Sequence, residues 1–168
     1  MHTNTIPSKV IKRVTRYKYS HVALSLEEDC FYTFSFGRRK VNSILHSGFV
    51  KEKQDGDFFK KFNNTICKIY EVRVSDFQYN QIKGKLYKMH DHMYKYNYDY
   101  YCIIPRFLGF PIRLKNKYVC SYFVASILDE FNVCKFNKNV CLVKPQDFEN
   151  IDNFKEIYSG KYLLYKKA

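Results

Sequence analysis

The feature that most restricts the fold is a strict alternation of side chains over residues 65–74. Even-numbered positions carry Ile66, Lys68, Tyr70 and their successors, while the odd-numbered positions carry a different set, which is the pattern of a β-strand. Ser75 follows at once and is a good helix N-cap. Apolar side chains then recur on one helical face up to about residue 94, namely Phe77, Ile82, Leu86, Met89 and Met93. A strand followed by an amphipathic helix predicts an α+β fold.

Other segments extend this assignment toward the N-terminus. Residues 8–17 have helical spacing behind a serine cap and predict a short amphipathic helix. Residues 19–26 and 30–37 read as two strands of a β-hairpin joined by the acidic turn at residues 27–29. Residues 38–52 are polar and contain glycine, and they predict a loop or a short helix.

The second half of the chain is punctuated by prolines and glycines between residues 97 and 114, which indicates an ordered connection. From residue 118 to residue 131 apolar side chains follow a helical period, and Cys120 falls in the first turn of that helix. Residues 144–148 predict a short helix start. Residues 155–165 predict two strand-like pieces around a turn at Ser159 and Gly160.

The length of 168 residues suits a single domain spanning residues 1–168. No apolar run approaches the roughly 18 residues that a membrane span needs, and the N-terminus lacks the apolar segment of a secretion signal. We therefore expect a soluble, cytoplasmic protein. Its six cysteines, none of them spaced as Cys-x-x-Cys, are expected to be reduced thiols.

No metal site and no cofactor is predicted, because only His90 and His92 come close to a ligand pair and they lie in a Lys- and Tyr-rich stretch. The formal net charge of +13 raises the hypothesis of a polyanion partner. The basic residues are spread through the chain, and most aromatic residues have the spacing of core positions. Nucleic acid is therefore a minor alternative, whereas contact of Lys and Arg side chains with an anionic surface stays open.

Cys120 is the candidate nucleophile, since it alone of the six cysteines lies where a helix begins. The positive end of a helix dipole and a neighbouring imidazole lower the pKa of a thiol, so we expect a lowered pKa here. The alternative is a purely structural role, because a free cysteine is usually a small, buried apolar residue.

His21 is the candidate base because it opens an apolar strand far from Cys120 in sequence. A third group usually orients such an imidazole through its second ring nitrogen. If the predicted hairpin pairs across residues 27–29, Ser35 comes opposite His21, with Thr33 on the same face as the reserve choice.

The order and content of these segments resemble the circularly permuted branch of the NlpC/P60 papain-like cysteine hydrolases. That group includes the YiiX-like proteins of bacteria and, more distantly, the lecithin:retinol acyltransferase-like enzymes. In this branch the His strand precedes the Cys helix. The resemblance is carried by four motifs in order, namely Ser20-His21, Ser35-Phe36-Gly37-Arg38, Gly48-Phe49-Val50-Lys51-Glu52 and Cys120-Ser121-Tyr122-Phe123-Val124.

The resemblance implies an antiparallel sheet packed against the helix that starts at Cys120, and a thiol hydrolase that cleaves an amide or peptide bond through a thioester. The alternatives are acyl transfer to a lipid or an amine by the same pair, and a non-catalytic basic module that binds a polyanion. The Asn-Cys-Glu-His-Phe signature of the lecithin:retinol acyltransferase-like enzymes is absent. Arg38, Thr33 and Tyr19 are supporting or substrate-binding candidates, with Arg38 as readily explained by an ion pair to Glu52.

Overall fold

The structure is a computed structural model that describes Met1 and residues 17–166. The predicted helix over residues 8–17 lies outside the described residues except for Tyr17. The described elements, in chain order, are β1 (Tyr32–Lys40), β2 (Ser43–Lys53), α1 (Asp57–Lys61), β3 (Ile66–Val72), α2 (Asp76–Asp91), β4 (Asn97–Tyr98), α3 (Ile103–Phe107), β5 (Lys117–Tyr118), α4 (Cys120–Glu130) and β6 (Phe154–Lys161). The fold is of the α+β class.

Two sheets organise the molecule. The first has the order β1-β2-β4-β5, with β1, β2 and β4 antiparallel and β5 parallel to β4. The second pairs β3 with β6 in antiparallel register. Short 3-10 turns at Met93–Lys95, Val140–Leu142, Pro145–Asn150 and Tyr162–Leu164 complete the connections.

The segment predicted as a loop or short helix over residues 38–52 is instead mostly strand. β1 continues to Lys40, and β2 returns along it after a tight turn, with Phe36 opposite Phe49. Phe49 and Val50, on opposite faces of β2, are both buried, whereas Leu45 and His46 near its start are exposed. The loop prediction was wrong because half of this strand borders solvent, so its apolar and polar residues do not alternate regularly.

Residues 19–26 are extended but do not form the predicted strand. They meet β1 at a single antiparallel bridge, in which Leu24 and Phe34 exchange both backbone hydrogen bonds at 2.9 and 2.7 Å. The predicted direction and partner of this segment therefore agree with the structure. The predicted continuous ladder is absent, and the predicted register is wrong by two residues, since Leu24 lies opposite Phe34 and not Tyr32.

The main core lies between the first sheet and helices α2 and α4. Phe123 of α4 packs against Phe36 and Phe49, with ring centroids 5.2 and 5.5 Å apart. Helix α2 begins at the predicted cap, where Ser75 and Gln78 form a reciprocal capping box, and it buries Ile82, Leu86 and Met89. Phe77 is 73% exposed, so its assignment to the apolar face was wrong.

The tail differs from its prediction. Ser159 and Gly160 do not turn the chain but lie within β6, which pairs with β3 along its whole length. A side chain at position 160 would stand 2.6 Å from the Tyr158 hydroxyl, so the glycine makes room for that ring. Gly160 was thus misread as a turn residue because the sequence does not show a close side-chain approach.

None of the helices in the described part of the chain is both long and apolar enough to cross a membrane. All six cysteines fall within residues 17–166 and are free thiols.

Candidate active site

Cys120 is the first residue of α4, as its sequence position predicted. Val119 before it is extended and offers no side-chain cap, so the first backbone N–H groups of the helix have no acceptor within it. The backbone N–H groups of Cys120, Ser121 and Val22 lie close to the thiol and act to lower its pKa. The thiol therefore lies against residue 22, one position after His21.

The expectation of a lowered thiol pKa was wrong. Cys120 is only 5% exposed, and burial raises the pKa of its thiol above the ordinary value. The three backbone donors and the nearby α-amino group of Met1 lower the pKa of Cys120, but by less than burial raises it. Near neutral pH the Cys120 thiol is therefore protonated. The sequence showed that a helix starts here but not that the thiol is buried.

The imidazole of His21 contacts Ser35 of β1. The Nε2 atom of His21 lies 2.9 Å from the Ser35 hydroxyl oxygen, and the same hydroxyl donates to the backbone oxygen of Val22 at 2.9 Å. A serine hydroxyl has one proton to donate, so it can only accept from the ring. Nε2 of His21 therefore carries the ring proton, and Nδ1 is the basic nitrogen.

His21 is neutral at physiological pH. Burial is the main cause that lowers the pKa of this imidazole to about 3, and the positively charged α-amino group of Met1 adds to the effect. That amino group donates to the His21 backbone oxygen at 2.7 Å, and burial lowers its own pKa to about 6. The site therefore combines a neutral imidazole with a protonated thiol.

The structure brings His21 and Ser35 into contact and sets the residue after His21 against the Cys120 thiol. Among the hydrogen bonds of the described residues, none joins the Cys120 thiol to the His21 ring. A cavity of about 740 Å³ runs beside this segment, and His21, Val22 and Thr33 line part of its wall.

The remaining predicted site residues have other surroundings. Thr33 is buried on the face of β1 that carries Ser35, but Ser35 rather than Thr33 reaches the ring. Tyr19 is buried, and its ring meets Tyr17 edge-on at 5.9 Å. Arg38 donates to the backbone oxygen of Val41 at 3.3 Å, and its guanidinium lies 5.9 Å from the centre of the Phe62 ring.

The ion pair predicted between Arg38 and Glu52 is therefore absent. Glu52 lies opposite Thr33 in the hairpin, on the buried side, and burial raises the pKa of its carboxyl to about 7. A side chain at Gly37 would stand 3.9 Å from Oε2 of Glu52 and 4.0 Å from Cε1 of His21. The Glu52 carboxyl thus flanks the imidazole region, whereas the sequence indicated Glu52 as the end of a motif and as a partner for Arg38.

Within residues 17–166, no three His, Cys, Asp or Glu side chains are placed to share a metal ion. Comparisons with models of protein families, with curated proteins and with solved structures found no match.

Proposed function

We propose that this protein is a thiol hydrolase acting on an amide or peptide bond, with Cys120 as nucleophile, His21 as general base and Ser35 as the residue that positions the imidazole. The observation that carries the proposal is the hydrogen bonding of Ser35. Its hydroxyl gives its one proton to Val22 and so fixes the ring proton of His21 on Nε2. The free Nδ1 is then the atom that accepts a proton during catalysis.

In the proposed reaction the Cys120 sulfur attacks the carbonyl carbon as Nδ1 of His21 takes the thiol proton. The oxyanion is held by backbone N–H groups, those of Cys120 and Val22 being the donors already directed at the sulfur. The imidazolium returns the proton to the leaving amine, which gives a thioester, and water then releases the acid. Because the thiol is protonated at rest, its proton leaves during the attack rather than before it.

The proposed fold is a circularly permuted papain-like one. In support, the segment that carries His21 precedes the helix that begins at Cys120 by about a hundred residues, and that helix packs against the antiparallel pair of β1 and β2.

The same residues serve acyl transfer if a lipid or an amine resolves the thioester in place of water. The chemistry up to the thioester is common to both activities, so the acceptor decides between them. A non-catalytic basic module is the alternative in which no thioester forms at all.

The test is formation of a thioester with the activated ester p-nitrophenyl acetate, followed by nitrophenolate release and by mass spectrometry of the intact protein and its peptides. We expect acetylation at Cys120 and loss of the adduct with hydroxylamine. His21→Ala should slow acetylation by about a hundredfold or more, and Ser35→Ala by about tenfold, since it only positions the base. Adding glycinamide distinguishes transfer from hydrolysis by the product formed.

Cys134→Ala is the matched control, since it removes another buried thiol and should acetylate like the parent protein. Far-UV circular dichroism of each variant establishes that it is folded. The proposal is overturned if Cys120 acquires no acetyl group, or if folded His21→Ala acetylates as fast as the parent.

A further inference from the structure

Residues 100–114 form an unusually exposed apolar surface, which we call the apolar loop. Six large side chains in and around helix α3 point to solvent: Tyr101, Ile104, Phe107, Leu108, Phe110 and Ile112. Tyr101, Ile104, Leu108 and Phe110 are between 59% and 78% exposed. Single exposed apolar residues are ordinary, but a contiguous group of them marks an interaction site.

A buried ion pair holds this loop in shape. Asp99 is completely buried and accepts from Arg106 at 2.7 Å, while the backbone N–H of Cys102 donates to the same carboxylate at 3.2 Å. Arg106 also donates through Nε to the backbone oxygen of Ile112 at 3.0 Å. The chain reverses at Gly109, which has a φ of 94°. The apolar side chains are therefore presented outward by a fixed framework.

The charged side chains of residues 100–117 have one sign. Residues 100–117 contain no Asp or Glu, and beside the buried Arg106 they carry Arg113, Lys115 and Lys117. The Lys117 ammonium lies 4.9 Å from the centre of the Tyr101 ring, and the Lys144 ammonium lies 4.5 Å from that of Phe107. Cations thus lie directly beside the exposed aromatic rings, an arrangement suited to the boundary between lipid headgroups and acyl chains.

We propose that the apolar loop binds the surface of a lipid bilayer that contains anionic headgroups. The apolar side chains enter the boundary between headgroups and acyl chains, and the flanking cations contact phosphate and carboxylate groups. Charge complementarity favours this occupant over a second copy of the chain. In a twofold dimer formed through this face, Arg113, Lys115 and Lys117 of one copy would lie close to the same cations of the other copy and repel them.

The apolar loop leads directly into the candidate active site, because β5 and then Cys120 follow it in the chain. Tyr98, just before the loop in the chain, pairs with Tyr118 of β5, and its pKa is raised well above its ordinary value by burial and then by the nearby Cys120, with Arg106 acting in the opposite direction. Membrane binding does not depend on the reactivity of the thiol. The folded variant Cys120→Ala should therefore bind vesicles as the parent does, which separates this proposal from the proposed catalytic function.

Vesicle flotation tests the binding, with phosphatidylcholine vesicles compared to vesicles that also contain phosphatidylserine. We expect binding to the anionic vesicles that weakens as salt is added. The triple variant Ile104→Ser, Leu108→Ser and Phe110→Ser should lower the partition coefficient by more than about tenfold. The control triple variant Leu45→Ser, Phe77→Ser and Leu164→Ser removes three apolar side chains on other elements that are at least as exposed as the loop set, and should bind within about twofold of the parent.

The absence of tryptophan from the sequence permits a site-specific reporter of insertion. Phe110→Trp introduces a single tryptophan into the apolar loop, and its emission should shift to shorter wavelength with anionic vesicles and be quenched by brominated acyl chains. Phe77→Trp, on the exposed side of α2, is the matched control and should show neither change.

Three results overturn the proposal. The first is no binding of the parent protein to phosphatidylserine vesicles. The second is binding that the loop triple variant and the control triple variant reduce equally, which indicates general attraction by the net charge. The third is a parent protein that sediments as a dimer while the loop triple variant sediments as a monomer, which assigns the surface to a second copy.

Discussion

Two titratable side chains on the same side of β1 have charge states that differ from those in water. His21 stays neutral because burial lowers the pKa of its imidazole to about 3, and Glu52 holds a proton up to about pH 7 because burial raises the pKa of its carboxyl. Each shift links the free energy of unfolding to pH, and the two act in opposite directions.

For His21 the unfolded chain binds a proton below its ordinary pKa of 6.5, whereas the folded chain does not until about pH 3. The free energy of unfolding therefore falls as the pH drops through this range. For Glu52 the folded chain keeps a proton between pH 4.5 and about 7 while the unfolded chain loses it. The protonated Glu52 carboxyl therefore contributes to the free energy of unfolding at low pH, and this contribution is lost as the pH rises toward 7.

We predict that the free energy of unfolding of His21→Gln falls less than that of the parent as the pH drops below 6.5. The free energy of unfolding of Glu52→Gln should lack the decrease that the parent shows as the pH rises from 4.5 to 7. Each difference from the parent should be about 1 to 3 kcal/mol. Urea denaturation followed by circular dichroism across this pH range measures both. The prediction is contradicted if His46→Gln and Glu71→Gln, which replace exposed residues, change the pH dependence of the unfolding free energy as much.

At the scale of elements, the connection around α3 depends on the ion pair between Asp99 and Arg106. Both groups are buried, so removing one leaves the other without its charge partner. Asp99→Asn should lower the free energy of unfolding by about 3 to 5 kcal/mol. Asp129→Asn, which breaks a more exposed pair to Lys135, should cost about 1 kcal/mol or less. Urea denaturation that gave equal costs would show that the buried pair does not stabilise this connection.

Elements were predictable from sequence where local signals agree. Helix α2 has a serine cap, a glutamine three residues later and a repeating apolar face, and it forms as predicted. β2 lacks such signals because its exposed positions dilute the alternation, and β6 contains a glycine that mimics a turn. In both cases the partner strand decides the structure.

At the scale of the molecule, the buried apolar side chains of the described residues form two hydrophobic clusters. The main cluster contains Phe36 and Phe123, and the second contains Phe59, Cys67 and Tyr162. Tyr162 donates to the backbone oxygen of Cys30 at 2.7 Å, and its own backbone oxygen accepts from Gln54 at 2.7 Å. These bonds tie the second cluster to the chain on either side of the β1–β2 hairpin.

We predict that the described part unfolds as one cooperative unit, as a single domain requires. Buried thiols report this directly, since Cys67 belongs to the second cluster and Cys134 to the main one. Pulsed alkylation in increasing urea, read by peptide mass spectrometry, should give the same midpoint for both. If Cys67 becomes reactive at distinctly lower urea than Cys134, the two clusters are separate folding units.

The sequence by itself determined the α+β class, the start of α4 at Cys120 and the choice of Ser35 as the side chain that meets His21. These follow from local periodicity, helix caps and the short turn between two extended segments, all of which act over a few neighbouring residues. Only the tertiary structure decided the protonation states of Cys120, His21 and Glu52 and the outward face of the apolar loop. Burial and exposure depend on residues far away in the chain, and they govern both the pKa of a group and the surface left to solvent.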